Sequence, residues 1–172
     1  IHAVNSVNAN PAGFWPPTCL TDGVGRERGV RLRHVELDPE ADAIDPDESL
    51  LLSSLDLSTM DAGFWRDRVR STESPVELTT MPARLSTPTK ARHADRLLFT
   101  KETFRDFPDV WTTADDFATL DRVSEANPQQ AEYAWGDGEL VEWRSLGGTP
   151  LQGLLYKPDG FDPERQYPMI VY

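Results

Sequence analysis

The chain is 172 residues long and carries a formal net charge of −12 at pH 7. That length suits one domain or two small pieces, and 38% apolar residues with five Trp, seven Phe and four Tyr suffice for a core, which excludes global disorder. The acidity is spread out, −5 over residues 1–48, −3 over 49–125 and −4 over 126–172, so no basic segment exists to release counterions from a phosphate backbone and nucleic acid is not an expected partner.

Fourteen Pro and eleven Gly interrupt the chain every few residues. No stretch of about 12 residues keeps helical periodicity free of them, so long helices are not expected. The first candidate strand is 1–7. No basic n-region or long apolar h-region marks a signal peptide there. Cys19 is the single cysteine, which rules out an intrachain disulfide or a cysteine-based zinc site. DGVGRERG (22–29) places Gly23, Gly25 and Gly29 one residue out of a phosphate-binding G-x-G-x-x-G, and no strand-to-helix context follows it, so phosphate binding is not expected. Segment 29–37 alternates as a strand, with Val30, Leu32, His34 and Glu36 on one face and Arg31, Arg33, Val35 and Leu37 on the other.

The acidic run Asp38, Glu40, Asp42, Asp45, Asp47, Glu48 invites a calcium reading. An EF-hand loop beginning at Asp38 would need Gly at its sixth position and Glu at its twelfth, where Ala43 and Ser49 stand, so a solvated loop is expected. Further strands are expected at 50–57, 63–70, 76–81, 96–102, 109–114 and 119–124. Arg66, Arg68 and Arg70 would share one strand face, pairing with acidic neighbours or binding a substrate carboxylate.

Sliding the chain by 46 residues lays Leu51-Leu52 on Leu97-Leu98 and Trp65 on Trp111, and with one residue of slippage VELTT (76–80) falls on DRVSE (121–125). Short strands recurring at about 40–50 residues are the mark of β-propeller blades, with a plain antiparallel meander as the alternative. Trp65 and Trp111 are then inter-blade packing. Phe14-Trp15, Phe64, Trp135 and Trp143 could instead line a binding face.

After Asn127 the character changes. NPQQAEYAWGDGE is expected to be an ordered linker with one helical turn. Strands 139–145 and 151–157 form a hairpin around Gly147-Gly148, with Val141 and Trp143 on one face and Glu142 and Arg144 on the other. YPMIVY (167–172) reads as a strand covered on both faces. The start at Ile1 and the finish inside MIVY suggest a piece of a longer chain. No apolar run approaches the roughly 18 residues of a membrane span.

No serine lies in a G-x-S-x-G elbow. Ser145, in WRSLGG, reads as a strand-end residue. His2, His34 and His93 are isolated and lack a nearby partner. No catalytic, cofactor-binding or metal residue is therefore assigned within the chain, and no cofactor is expected.

N-P-Q (127–129), W-G (135–136), E-L-V-E-W (139–143), G-x-L-Y-K-P (153–158), F-D-P (161–163) and Y-P-M-I-V-Y (167–172) follow one another in an order that resembles the propeller-to-hydrolase junction of the prolyl oligopeptidase family of serine peptidases, chiefly its dipeptidyl- and acyl-aminopeptidase-like members. Residues 90–113 resemble the last blade of such enzymes. About 80 residues match well, and 1–48 match loosely. The resemblance implies a mainly β fold with few helices: the last blades of a β-propeller (1–125), a linker (126–138), and the first antiparallel strands of an α/β-hydrolase domain (139–172). It implies that the whole enzyme cleaves short peptides with a Ser-His-Asp triad downstream, that the propeller screens oligopeptide substrates by size, and that the fragment alone is inactive. Tyr172 would precede the family's oxyanion tyrosine by about two residues and is not assigned that role. By family analogy a periplasmic or secreted location is favoured over a cytoplasmic one. Self-association through exposed sheet edges is the expected oligomerisation route. The alternative is a non-catalytic β-rich binding or interaction module.

Overall fold

The computed structural model describes residues 2–3, 18–19, 22–41, 43–71, 73–114 and 116–172. Strands β1 (His2–Ala3) and β2 (Thr18–Cys19) pair antiparallel, and they are followed by helix α1 (Asp22–Arg28). The rest of candidate strand 1–7, and Phe14-Trp15, lie outside the described residues. Helix α1 forms in a segment to which no element was assigned from the sequence. Val24 packs against Leu50, Leu52 and Trp65, and this tertiary contact outweighs the low helix propensity of Gly23 and Gly25. Gly29 then ends the helix with φ of 65°.

The next four strands are β3 (Val30–His34), β4 (Leu50–Asp56), β5 (Ala62–Asp67) and β6 (Val76–Met81). They form an antiparallel meander in chain order. Its central strands are buried on both faces. Leu51 and Phe64 face one apolar cluster, whereas Leu50, Leu52 and Trp65 face another beneath α1. That is why LLL shows no alternation. Gly63 is required where β5 passes β6, because a Cβ there would strike the Thr79 carbonyl and the Thr80 and Ser54 hydroxyls.

A second meander uses β7 (Arg84–Leu85), β8 (Thr89–Lys90), β9 (Leu97–Glu102), β10 (Asp109–Thr113) and β11 (Leu120–Arg122). Both β7 and β8 pair with β9, at its two ends. The core lies between the two meanders. Phe64 from the first meets Phe99 edge-on at 5.8 Å, and Phe117 from the β10–β11 turn stacks on Phe64 at 4.7 Å. Val35, Leu51 and Leu97 close the cluster.

Strand pairing corrects the repeat. Leu52 faces Trp65 across β4–β5, and Phe99 faces Trp111 across β9–β10. Trp65 therefore corresponds to Trp111 at 46 residues, but β4 corresponds to β9 at 47. The equivalent of Leu97 is therefore Leu50, not Leu51. A slip of one residue swaps the faces of a strand, and so Leu98, which a uniform 46-residue repeat lays on buried Leu52, is 43% exposed while Leu97 is 1% exposed. The third strands follow at 45 residues, Glu77 opposite Trp65 and Arg122 opposite Trp111, within the slippage expected.

The linker holds the 3-10 turn η1 (Pro128–Glu132). Strands β12 (Asp137–Arg144) and β13 (Pro150–Lys157) then form the hairpin, with the face assignment of the sequence. Gly148 carries φ of 81° in its turn. The Trp143 ring lies where a Cβ on Gly153 would be, so the glycine is covered by the aromatic on the neighbouring strand. The strand expected at 167–172 does not form. Met169, Ile170, Val171 and Tyr172 are exposed and unpaired, because an apolar run becomes a buried strand only where other strands and layers receive it. Among the described residues, no helix is long and apolar enough to cross a membrane.

The register sets an unequal pair of outcomes. Leu97→Ala should cost about 2–5 kcal/mol by urea unfolding, and Leu98→Ala less than about 1 kcal/mol. Equal costs would contradict the pairing.

Candidate functional site

A cleft of about 510 Å³ lies where the second meander meets the linker and the hairpin root. Its floor is Asp109, the first residue of β10. The side chain is 7% exposed and fully engaged. Oδ1 accepts the Ser124 hydroxyl and the Ala126 amide, each at 2.8 Å, and Oδ2 accepts Arg122 Nη2 at 2.6 Å. The Ser124 oxygen in turn accepts the Val110 amide. These donors, the Ser124 hydroxyl foremost, hold the Asp109 carboxyl below the usual carboxylate range, with burial opposing them.

One wall is the linker. Gln130 is buried, donates to the Arg105 carbonyl at 2.5 Å and accepts from Asn127 Nδ2 at 3.2 Å. Its own carbonyl accepts Trp135 Nε1 at 3.0 Å. The run beginning N-P-Q thus forms its turn by docking Gln130 onto the β9–β10 loop. Opposite, the Lys101 ammonium sits 4.6 Å above the Trp111 ring. Arg105 Nε and Nη2 grip the two Asp137 oxygens at 2.8 Å each. Phe104 stacks on Tyr156 at 4.9 Å and meets Trp135 edge-on at 6.1 Å.

Five carboxylates and three cations line the cleft, together with Trp111, Tyr133 and Trp135. Asp109, Arg122 and Gln130 were not singled out from the sequence. The partners of Asp109 stand 13 to 17 residues away and Gln130 reaches the Arg105 carbonyl across 25 residues, and it is the fold that brings them together. The arrangement can hold and orient a polar or aromatic-bearing ligand. Its hydroxyl, Ser124, serves the Asp109 carboxylate and faces no histidine among the described residues.

The residues that the sequence did single out lie elsewhere. Ser145 ends β12, and its Oγ accepts the Thr149 amide at 3.1 Å, the strand-end role expected. His34 lies in β3 opposite Leu52, and His93 is exposed in the 91–96 loop. The His2 side chain and Asp42 lie outside the described residues. Asp38 and Asp45 accept the amides of Glu40 and Asp47, as residues of a solvated loop do. Strand β5 ends at Asp67, so Arg66, Arg68 and Arg70 do not share a strand face. Arg70 pairs with Asp47 at 2.9 Å, the ion-pair reading. Trp111 packs between the meanders, whereas Trp65 lies on the far face of the first meander. The Arg28 guanidinium lies 5.1 Å from the Trp65 ring. Trp143 covers Gly153, and Tyr172 is fully exposed.

A solved structure of the AtxE2 isopeptidase, in its apo form, is similar in fold, with a TM-score of 0.53 and 16% sequence identity over 70% of this chain. The matched region is 18% of that protein, so the match covers just under a fifth of its length. No protein-family model matches the sequence, and no curated protein matches it.

Two carboxyls give opposite pH signatures. Asp109 has a folded pKa below its unfolded value of about 3.9, so its contribution to stability is complete above about pH 5 and is lost as pH falls through the depressed value. Asp109→Asn should lower the urea midpoint at pH 7 and flatten the acid limb of the stability profile. Burial raises the Asp67 pKa, with only the Arg68 amide opposing. Asp67 therefore weakens the fold as pH rises, and Asp67→Asn should raise the midpoint at pH 7 while leaving it unchanged near pH 3.

Proposed function

We propose that the chain is the propeller-to-hydrolase junction of a serine oligopeptidase. Residues 1–125 are the closing blades, 126–138 the linker, and 139–172 the entry to an α/β-hydrolase sheet. The observation that carries this reading is the fold similarity to a peptidase over 70% of the chain, reached at only 16% identity. The two stacked antiparallel meanders, whose Trp positions repeat at 46 residues, support the blade assignment. The ordered motifs from N-P-Q to Y-P-M-I-V-Y support the junction.

In this reading the blades form part of a chamber wall that admits short peptides and excludes folded proteins. The docked linker fixes how the hydrolase sheet leaves that wall. The bond-breaking serine, histidine and acid are supplied from outside residues 1–172. The contribution of this region is geometric, since a displacement of about 1 Å at a reacting group costs roughly a hundredfold in rate.

The test uses the 172-residue chain beside its parent gene product. The parent should hydrolyse chromogenic aminoacyl or dipeptidyl substrates and lose activity to a serine-reactive phosphonate, while the 172-residue chain stays at the buffer rate. A parent with neither a G-x-S-x-G serine nor such activity would instead establish a non-catalytic β-rich module. Phosphonate-sensitive hydrolysis by the short chain would refute the placement of the triad outside it.

A further inference from the structure

The β12–β13 hairpin has two exposed faces. Trp143, Leu151, Leu154 and Tyr156 are all at least 39% exposed. A lone two-stranded hairpin is marginal in water, so its order rests on whatever holds it. Phe104 and Arg105, neighbours in the β9–β10 loop, supply the ring stacking and the ion pair that join it to the meanders. Both act at the hairpin root. Arg105 grips Asp137, the first residue of β12, and the Asp159 carboxylate just beyond β13 also acts on it. Phe104 stacks on Tyr156, whose ring edge covers Gly138 on the partner strand. At the same root Gly136 passes so close to the Lys157 carbonyl that no Cβ fits, which pins the two strand ends together.

We propose that loop 103–106 is a salt-sensitive latch: Phe104 and Arg105 clamp the hairpin root, and their release frees the hairpin and widens the junction cleft. Arg105 and Asp159 both line that cleft, so a hairpin swinging on its root moves one wall away from the other. The Arg105 and Asp137 side chains are 54% and 69% exposed. Added salt therefore screens the ion pair directly, while the buried contacts between Phe64, Phe99 and Phe117 are untouched.

Hydrogen exchange on the intact 172-residue chain tests the latch, comparing peptides from 137–157 with peptides from 50–67. Arg105→Met and Asp137→Asn should each speed exchange in 137–157 by about two- to fivefold. The double variant should add little, since both changes break one pair. Phe104→Ala should speed the same peptides further. Residues 50–67 should keep their wild-type rates throughout. Raising NaCl from about 0.05 to 0.5 M should speed hairpin exchange in the wild type and not in the double variant. The reversed pair Arg105→Asp with Asp137→Arg should restore protection. Unchanged hairpin rates in all variants, or parallel acceleration of 50–67, would overturn the proposal.

Discussion

The contact on which the rest depends is the triangle of Phe64, Phe99 and Phe117. Phe64 comes from the centre of the first meander and Phe99 from the centre of the second. Phe117 comes from a turn and holds a positive φ of 56°. A bulky residue in that backbone region is strained by about 1–3 kcal/mol. Burying an aromatic ring removes about 150–250 Å² from water, worth on the order of 4–6 kcal/mol as an upper figure. Burial therefore exceeds the strain, and the turn accepts an unfavourable backbone to seat its ring. Neither sheet could cover this face alone.

From that contact the structure extends outward through β9 and β10. Stacking fixes the two strands, the strands fix the β9–β10 loop, and the loop carries Phe104 and Arg105 to the hairpin. Asp109 ties the same point from below. A buried carboxylate is costly unless its lone pairs are used. Here three donors from β11 and the segment after it use them, so the chain leaving the second meander is held against β10 before it enters η1. Gln130 repeats the device one turn later on the Arg105 carbonyl. Two buried polar anchors thus direct a segment whose Pro and Gly content alone suggests slack.

Local pattern carried much of the fold. Alternation at 29–37 marked β3 but overran its end by three residues, while the candidates at 50–57 and 76–81 placed β4 and β6 within one residue of where they lie. The Trp65–Trp111 spacing marked the repeat. The leucine alignment went wrong because the first hairpin holds one residue more than the second between its paired Leu52 and Trp65, and an insertion in a turn leaves no mark in hydrophobicity. Helix α1 was hidden by its glycines, since its stability comes from the face of Trp65 and not from propensity. Segment 167–172 shows the converse: apolar character sets what a segment can join, while pairing depends on a neighbour. The cleft residues were least legible, because Asp109, Arg122 and Gln130 look like ordinary surface polar residues until strand register brings them together.

The hairpin carries this packing outward. Its glycines are used for close approach: Gly153 lies under Trp143, Gly138 against Tyr156, and Gly136 against the Lys157 backbone. Side chains at these points would separate the strands or lift the rings that stabilise them. The ribbon is consequently stiff along its length and attached at one end. A stiff ribbon on a two-residue mount transmits any change at the mount to its far end, scaled by its length. Eight residues per strand at about 3.3 Å each span roughly 26 Å, so a tilt of about 5° at Phe104 and Arg105 moves the tip by about 2 Å. The orientation of the ribbon is thus set by those two side chains, and through them by the aromatic contact between the meanders.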